Sequence, residues 1–349
     1  MSKQINKDDQ LVAESVELSS LPLIDFSRFA IGTKDERKNT ADEIVAACDL
    51  IGFFYLTGHG VPEDTRAAIF DRSAQFFHLS PEEKAKSKAT ADWNRGYIFG
   101  GGRDADLNAD SRVFEQYRIQ REFDPNDPDL QSGNPLFQPN RWPTQIDGFG
   151  RDCLYYYDAM AVLSSQLLEA FAIGLDLPED RFKQFFRKPI CQISLMYYPA
   201  LPENVGNEVK NLSAHTDEGP VVILAQGEIG GLEVRAPDGR WLAAPPVPGA
   251  FTVNIGNMMM WWSNGRFKST LHRVRNTSRQ ERFSIPFFWN ADPDVMVEPL
   301  PELVERDGES RYDPVHAGEL MSRFYKSPVY IPFESGKTDE AGEDAAAQS

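Results

Sequence analysis

Apolar positions along the chain follow two regimes. Up to about residue 189 they recur mostly at helical spacing, whereas from about Ile190 to Trp289 they fall into short alternating runs. In the first regime LPLIDFSRF reads as a short extended entry, and Asp35 to Leu50 as a helix. GFFYLTGHGV, bounded by glycines, reads as a strand, and PEDTRAAIFDRSAQFFHLSPEEKAKS as a helix that ends beside a new helix start at Ser80. Between Trp93 and Arg141 periodicity fades and Pro, Gly, Asn and Asp accumulate, which predicts long loops of the kind that line sites. A long helix is predicted over Phe149 to Leu175, its apolar spacing stopping at Gly174. The second regime is a series of β-like runs: ICQISLMYYP, VVILAQ, GLEVRA, WLAAPP, FTVNIG, STLHRVR and RFSIPFFW. Closely spaced strands without helices between them predict an antiparallel sandwich or barrel, so the fold class is mainly β with flanking α.

The 349 residues suffice for one large domain or two small ones. No internal repeat and no Gly/Ser linker divides them, so one compact unit is expected. Residues 1–20 and the acidic stretch 335–349 read as flexible tails with little to bury. A formal charge of −17 argues against binding nucleic acid or an anionic membrane. No apolar run approaches the roughly 20 residues that span a bilayer, and the opening MSKQINKDDQ lacks the apolar region of a secretory signal. Cys48, Cys153 and Cys191 are too few and too scattered for a disulfide framework. The expected setting is cytoplasmic and the expected partner a small molecule; nothing indicates an obligatory protein partner.

Candidate chemistry sits in the second regime. In NLSAHTDEGPVVIL, His215 and Asp217 lie two apart, and residues i and i+2 of an extended strand point to one face. His272, in the later run STLHRVR, is a third candidate that a closed sheet brings to the same place. Two imidazoles and a carboxylate make the facial triad of non-haem iron(II), which keeps positions open for other ligands. A lone strand histidine is most often structural. His59, His78 and His316 have no carboxylate at such spacing, but here RQERFSIPFF adds Arg282 and Ser284, two apart on one strand face. An Arg fork beside a hydroxyl suits a carboxylate. Met258 to Met260 and the pair Trp261 and Trp262 read as sheet and barrel-edge packing. The glycine-rich Asn94 to Gly102 lacks a P-loop's Gly-Lys-Ser/Thr ending, so no nucleotide role is read there.

The strings AHTDEGPVVIL, GGLEV, PPVPGAFTVNIGNMM, WSNGRFKSTLHRV and RFSIPFF closely resemble the isopenicillin N synthase-like branch of the iron(II)/2-oxoglutarate dioxygenases; PLIDFSRF, GFFYLTGHGVPED and NRGY extend the likeness over about residues 21 to 330. The resemblance implies a double-stranded β-helix, or jelly roll, wrapped by N-terminal helices within a single domain, 21–334. Its parts are an N-terminal region (21–189), a core of about 190–290 and a C-terminal helical closure (291–334). It implies iron(II) held by His215, Asp217 and His272, with 2-oxoglutarate and O2 as cosubstrates and ascorbate in support. The distal carboxylate of 2-oxoglutarate would meet Arg282, Ser284 and Tyr198. Met196 stands where many plant members carry Asn, so one polar contact is missing. On the substrate side Phe288 matches a position that often touches substrate, with core packing as its alternative. Tyr97, Arg95, Tyr117, Arg118 and Arg121 lie in or beside the loops expected over the mouth, where an arginine either binds a substrate carboxylate or is merely solvated. NRGY and PLIDFSRF also resemble thymine-oxidising fungal relatives. The activity implied is hydroxylation, desaturation or cyclisation of a small metabolite; the alternatives are an oxidase of the same branch that does not use 2-oxoglutarate, and a non-catalytic jelly-roll binding protein.

Overall fold

The computed structural model describes residues 21–90, 93–100, 114–132, 136–200, 211–276 and 278–326. The expected tails, the last part of the C-terminal closure and the centre of the expected mouth loop lie outside these residues.

The first half of the chain comprises β1 (Leu23–Asp25), α1 (Ser27–Ala30), α2 (Lys34–Leu50), β2 (Phe53–Thr57), α3 (Glu63–Phe77), α4 (Pro81–Ala85), β3 (Gly96–Gly100), β4 (Phe114–Gln120), α5 (Pro128–Gln131) and α6 (Phe149–Gly174). The strands β5 (Gln192–Tyr198), β6 (Leu212–His215), β7 (Val221–Gln226), β8 (Leu232–Arg235), β9 (Trp241–Ala243) and β10 (Phe251–Ile255) follow. After them come α7 (Asn257–Trp262), β11 (His272–Val274), β12 (Arg282–Trp289), β13 (Met296–Val297), α8 (Pro301–Asp307), β14 (Val315–His316) and α9 (Ala317–Lys326).

A large sheet in the order β1-β2-β10-β7-β12-β5-β4-β3 faces a small sheet in the order β6-β11-β8-β9. Because side chains alternate across a strand, the large sheet has two distinct faces. The outer face, with Ile193, Leu195, Ile223, Val253, Ile285 and Phe287, joins the helices in the main core. The inner face meets the small sheet: Phe53 and Tyr55 pack with Leu232 and Val234, and Met196 and Tyr198 with Val274.

Local chemistry explains the helices. Thr33 and Glu36 form a capping box at the start of α2, each side chain serving the other's backbone N–H. The 26-residue α6 crosses α2 closely enough that a Cβ on Gly174 would lie 2.4 Å from Val45 Cγ2.

Two expectations need correction. Trp93 to Arg141 is not loop throughout, because β3 and β4 lie within it and extend the large sheet beyond β5. The run FEQYRIQ does alternate, but it places polar side chains on the inner face, so its burial does not register as an apolar pattern. Met258 to Met260 are not in a sheet; they form α7 with Trp261 and Trp262, and Trp262 stacks on Phe185 at a centroid distance of 4.8 Å.

Candidate metal and cosubstrate site

His215 closes β6, and His272 opens β11 directly opposite it. Asp217 lies two residues beyond β6 rather than within it, so its direction comes from the following turn and not from strand alternation. That turn is held down by α7: the backbone N–H of Asn257 donates to Asp217 O at 2.7 Å and that of Met258 to Glu218 O at 3.1 Å. The approach requires glycine at 256, where a Cβ would lie 2.1 Å from Gly219 O.

Both imidazoles are oriented alike. His215 Nδ1 contacts Ser213 O at 2.8 Å and His272 Nδ1 contacts Thr270 O at 3.1 Å. A carbonyl can only accept, so each Nδ1 carries the proton and each Nε2 presents a lone pair. Those Nε2 atoms lie 3.8 Å (His215) and 3.5 Å (His272) from the oxygens of Asp217. Asn254 on β10 donates to Asp217 Oδ2 at 2.7 Å, fixing the carboxylate's rotation. The three side chains are all buried, with one donor atom from each within 4.8 Å of the others. Ligands at about 2.1 Å from one ion and at right angles stand roughly 3 Å apart, so a small relaxation fits a metal. The donor set of two nitrogens and one oxygen suits iron(II), and backbone contacts behind both histidines are the outer support that metal ligands need.

On the same inner face of the large sheet as Asn254, Arg282 is buried at 1 % exposure. Its Nη1 donates to Ser284 Oγ at 3.0 Å, Nη2 to Gln226 Oε1 at 3.5 Å, and its guanidinium lies 4.8 Å from the centroid of the Tyr198 ring. These partners are neutral, and Nε has none. Burial therefore pushes the Arg282 pKa down, opposed by Tyr198; burial pushes the Tyr198 phenol up, opposed by Arg282. A cation buried among neutral groups fits an anionic ligand that completes it. Tyr198 pairs with Arg282 across β5 and β12, and Met196 with Ser284, so that this apolar side chain stands beside the hydroxyl.

Four further expectations sort by face. Phe288 is half-buried on the inner face, in register with Gln192 and Val222. Tyr97 and Tyr117 do not cover a mouth: both point to the outer face. Tyr97 donates to Glu115 Oε2 at 2.7 Å, and Tyr117 packs against Phe76 and Phe149. Arg95 is not a loop residue in solvent. It is wholly buried and donates to Leu136 O at 2.8 Å, to Asn94 O at 3.0 Å and to Gln120. Sequence reading missed Asn254 and Gln226, whose only signal is a polar residue breaking the apolar runs FTVNIG and VVILAQ.

Family comparison agrees with this geometry. Residues 21–145 match the model described as non-haem dioxygenase in morphine synthesis N-terminal, and residues 189–291 match the 2OG-Fe(II) oxygenase superfamily. The chain is 32% identical over 312 residues to the 2-oxoglutarate-Fe(II) type oxidoreductase hxnY of Emericella nidulans, covering 87% of this chain and 89% of that one. The chain belongs to the iron(II)/2-oxoglutarate oxygenases. This oxygenase is also 35% identical over 301 residues to a homoarginine-6-hydroxylase of Glycine max, covering 82% and 90% of the two chains. Its fold matches a full-length Neurospora crassa protein crystallised in complex with alpha-KG at a TM-score of 0.79 and 29% identity, over 88% of this chain and 96% of that one. The mainly β architecture, the jelly-roll core and the use of iron and 2-oxoglutarate expected from the sequence all hold. Among the described residues no helix is long and apolar enough to cross a membrane.

Proposed function

We propose that His215, Asp217 and His272 hold iron(II), that Arg282, Ser284 and Tyr198 take the distal carboxylate of 2-oxoglutarate, and that the enzyme so assembled hydroxylates a small metabolite, releasing succinate and CO2. One observation carries this reading: Arg282, buried among neutral partners, reaches through Gln226 to Thr252 on β10, the strand whose Asn254 holds Asp217 of the buried His-Asp-His cluster. The acid and the metal would thus be held by separate groups on one sheet face.

The iron supplies oxidising power when bound, and the chain supplies position. Both Nε2 atoms are presented without rotational search, because the Nδ1 protons are committed to carbonyls. Asn254 donates to Asp217 Oδ2 and fixes the carboxylate's rotation, so that Asp217 would meet the metal without a rotational search. Arg282 receives a planar two-oxygen group, and Ser284 and Gln226 set the plane of its guanidinium. Crystals of the same Neurospora crassa relative hold alpha-KG with thymine, which supports a small-molecule substrate here. The three cysteines, all buried and free, fit a cytoplasmic setting.

The test uses the full chain under anaerobic conditions, with iron(II) and 2-oxoglutarate. The weak visible charge-transfer band of a chelated keto acid should appear. In Arg282→Ala it should need roughly thirty- to several-thousand-fold more cosubstrate, as the loss of one partner of a buried charge pair costs about 2–5 kcal/mol. Iron binding without a band at any concentration would refute the 2-oxoglutarate assignment and favour an oxidase that draws all its electrons from its substrate.

A further inference from the structure

The side chain of Gln226 is fixed at both ends by groups that are not interchangeable. Its Nε2 donates to the carbonyl oxygen of Ala244 at 3.1 Å and to Thr252 Oγ1 at 3.0 Å, and its Oε1 accepts from Arg282 Nη2 at 3.5 Å. A carbonyl only accepts and a guanidinium only donates, so the amide can stand one way round and no other. The backbone that receives it is itself anchored: the Ala244 N–H donates to Leu232 O at 2.8 Å, and Tyr55 OH donates to Pro245 O at 2.8 Å. Arg282 is thereby met by the oxygen of a neutral group.

A carboxylate in that position would bind Arg282 far more strongly. Hydrogen bonds between ionised groups are shorter and about twice as strong as those between neutral ones, and a guanidinium already paired with an anion has less to offer an incoming one. The fold turns a carboxylate away from Arg282 even where the chain supplies one. Glu281, the adjacent residue, alternates to the outer face, where His78 Nε2 lies 2.9 Å from its Oε2 and Tyr197 OH donates to the same oxygen at 3.2 Å. Ser284 and Tyr198, the other partners of the guanidinium, carry no charge, and burial holds the Tyr198 phenol above its ordinary pKa. A buried cation left among neutral groups costs stability, so this arrangement serves binding rather than folding.

We propose that Gln226 sets the charge specificity of the cosubstrate seat: by meeting Arg282 with a neutral oxygen it leaves the guanidinium's charge to be answered by the cosubstrate, and so makes the enzyme require an anionic end there. Gln226 is then more than a support for the plane of the guanidinium, because a glutamate of the same shape would fill the position and cancel the charge. Such a glutamate would also face the Ala244 carbonyl with an acceptor. Position 226 thus calls for a donor and a neutral acceptor at once, which at this length only glutamine supplies. The inference rests on the assignment of Arg282 proposed above, and the experiment separates the two.

The full-length protein with iron(II) is titrated anaerobically with 2-oxoglutarate and with 2-oxopentanoate, which keeps the keto-acid end and the carbon chain but carries a methyl group in place of the distal carboxylate. The charge-transfer band reports both. The wild-type protein should need at least about thirtyfold less 2-oxoglutarate than 2-oxopentanoate. In Gln226→Glu the 2-oxoglutarate requirement should rise by about ten- to a hundredfold while that for 2-oxopentanoate stays unchanged, so that the preference collapses. Gln226→Leu, which removes the amide without adding charge, should cost 2-oxoglutarate no more than about fivefold. A Gln226→Glu protein with the wild-type preference, or a Gln226→Leu protein with as large a loss as Gln226→Glu, would overturn the proposal. Iron content and the 2-oxopentanoate band show that each variant is intact. If Gln226→Glu does not fold, Ser284→Asp sets a carboxylate against Arg282 Nη1 and is held to the same outcome. A wild-type protein that binds iron but forms no band, or forms it equally well with both acids, would refute the assignment of Arg282 instead.

Discussion

Two parts of one sheet face are built differently. On β7, β10 and β12 the functional groups are few and separately supported: Asn254 steadies Asp217, while Gln226 and Ser284 steady Arg282. On β4 and β5 the polar groups are linked to one another, from Gln192 through Ser194 and Gln116 to Arg118. In the first arrangement each polar group is held by its own support. In the second, each side chain is held by its neighbours in the array.

Breaking the first part should produce the largest effects. His272→Ala removes one of the three proposed metal donors. Since changes to outer supporting groups alone typically cost 10 to 100-fold in metal affinity, iron binding should weaken by more than about a hundredfold. Metal analysis after gel filtration reads this directly, and an iron-replete His272→Ala protein would show that the triad is misassigned. Arg282→Ala ranks next, acting on 2-oxoglutarate while leaving iron in place. Asn254→Ala follows: it frees Asp217 Oδ2 to rotate, and iron affinity should fall by about 10 to 100-fold while the fold persists. An unchanged affinity would mean that the backbone turn pinned by Asn257 holds Asp217 without help.

The same contrast explains what the sequence discloses. His215 with Asp217, and Arg282 with Ser284, are each two residues apart, so the chemistry is visible as local spacing. Helices α2, α3 and α6 are equally legible because the capping box of α2, the glycine that ends α6 and the apolar stripes of all three are local. Arg118, Ser194 and Gln192 become neighbours only when β4 pairs with β5, across some seventy residues of sequence, and a polar inner face hides the burial of β4. That is also why the sequence points to Tyr97 and Tyr117 near the mouth although their strands turn them outward, and to Arg95 in solvent although it is buried. Which face a residue takes is fixed by register, and where both faces of a strand carry polar residues, as in FEQYRIQ, the face that turns inward is not written locally.

The smallest expected effect tests how independent the supports of Arg282 are. Ser284 Oγ accepts from Nη1 at 3.0 Å, while Gln226 and the Tyr198 ring hold the same guanidinium from other directions. A hydrogen bond to a neutral hydroxyl contributes about 1 kcal/mol net, so Ser284→Ala should weaken 2-oxoglutarate binding only by about fivefold, with iron content unchanged. Titration of the charge-transfer band measures it against Arg282→Ala. A loss approaching that of Arg282→Ala would show that the hydroxyl alone orients the guanidinium, and that Gln226 and Tyr198 fill space beside it. A loss near fivefold would show that the buried cation is held redundantly, as expected for a charge that must keep its position while its ligand comes and goes.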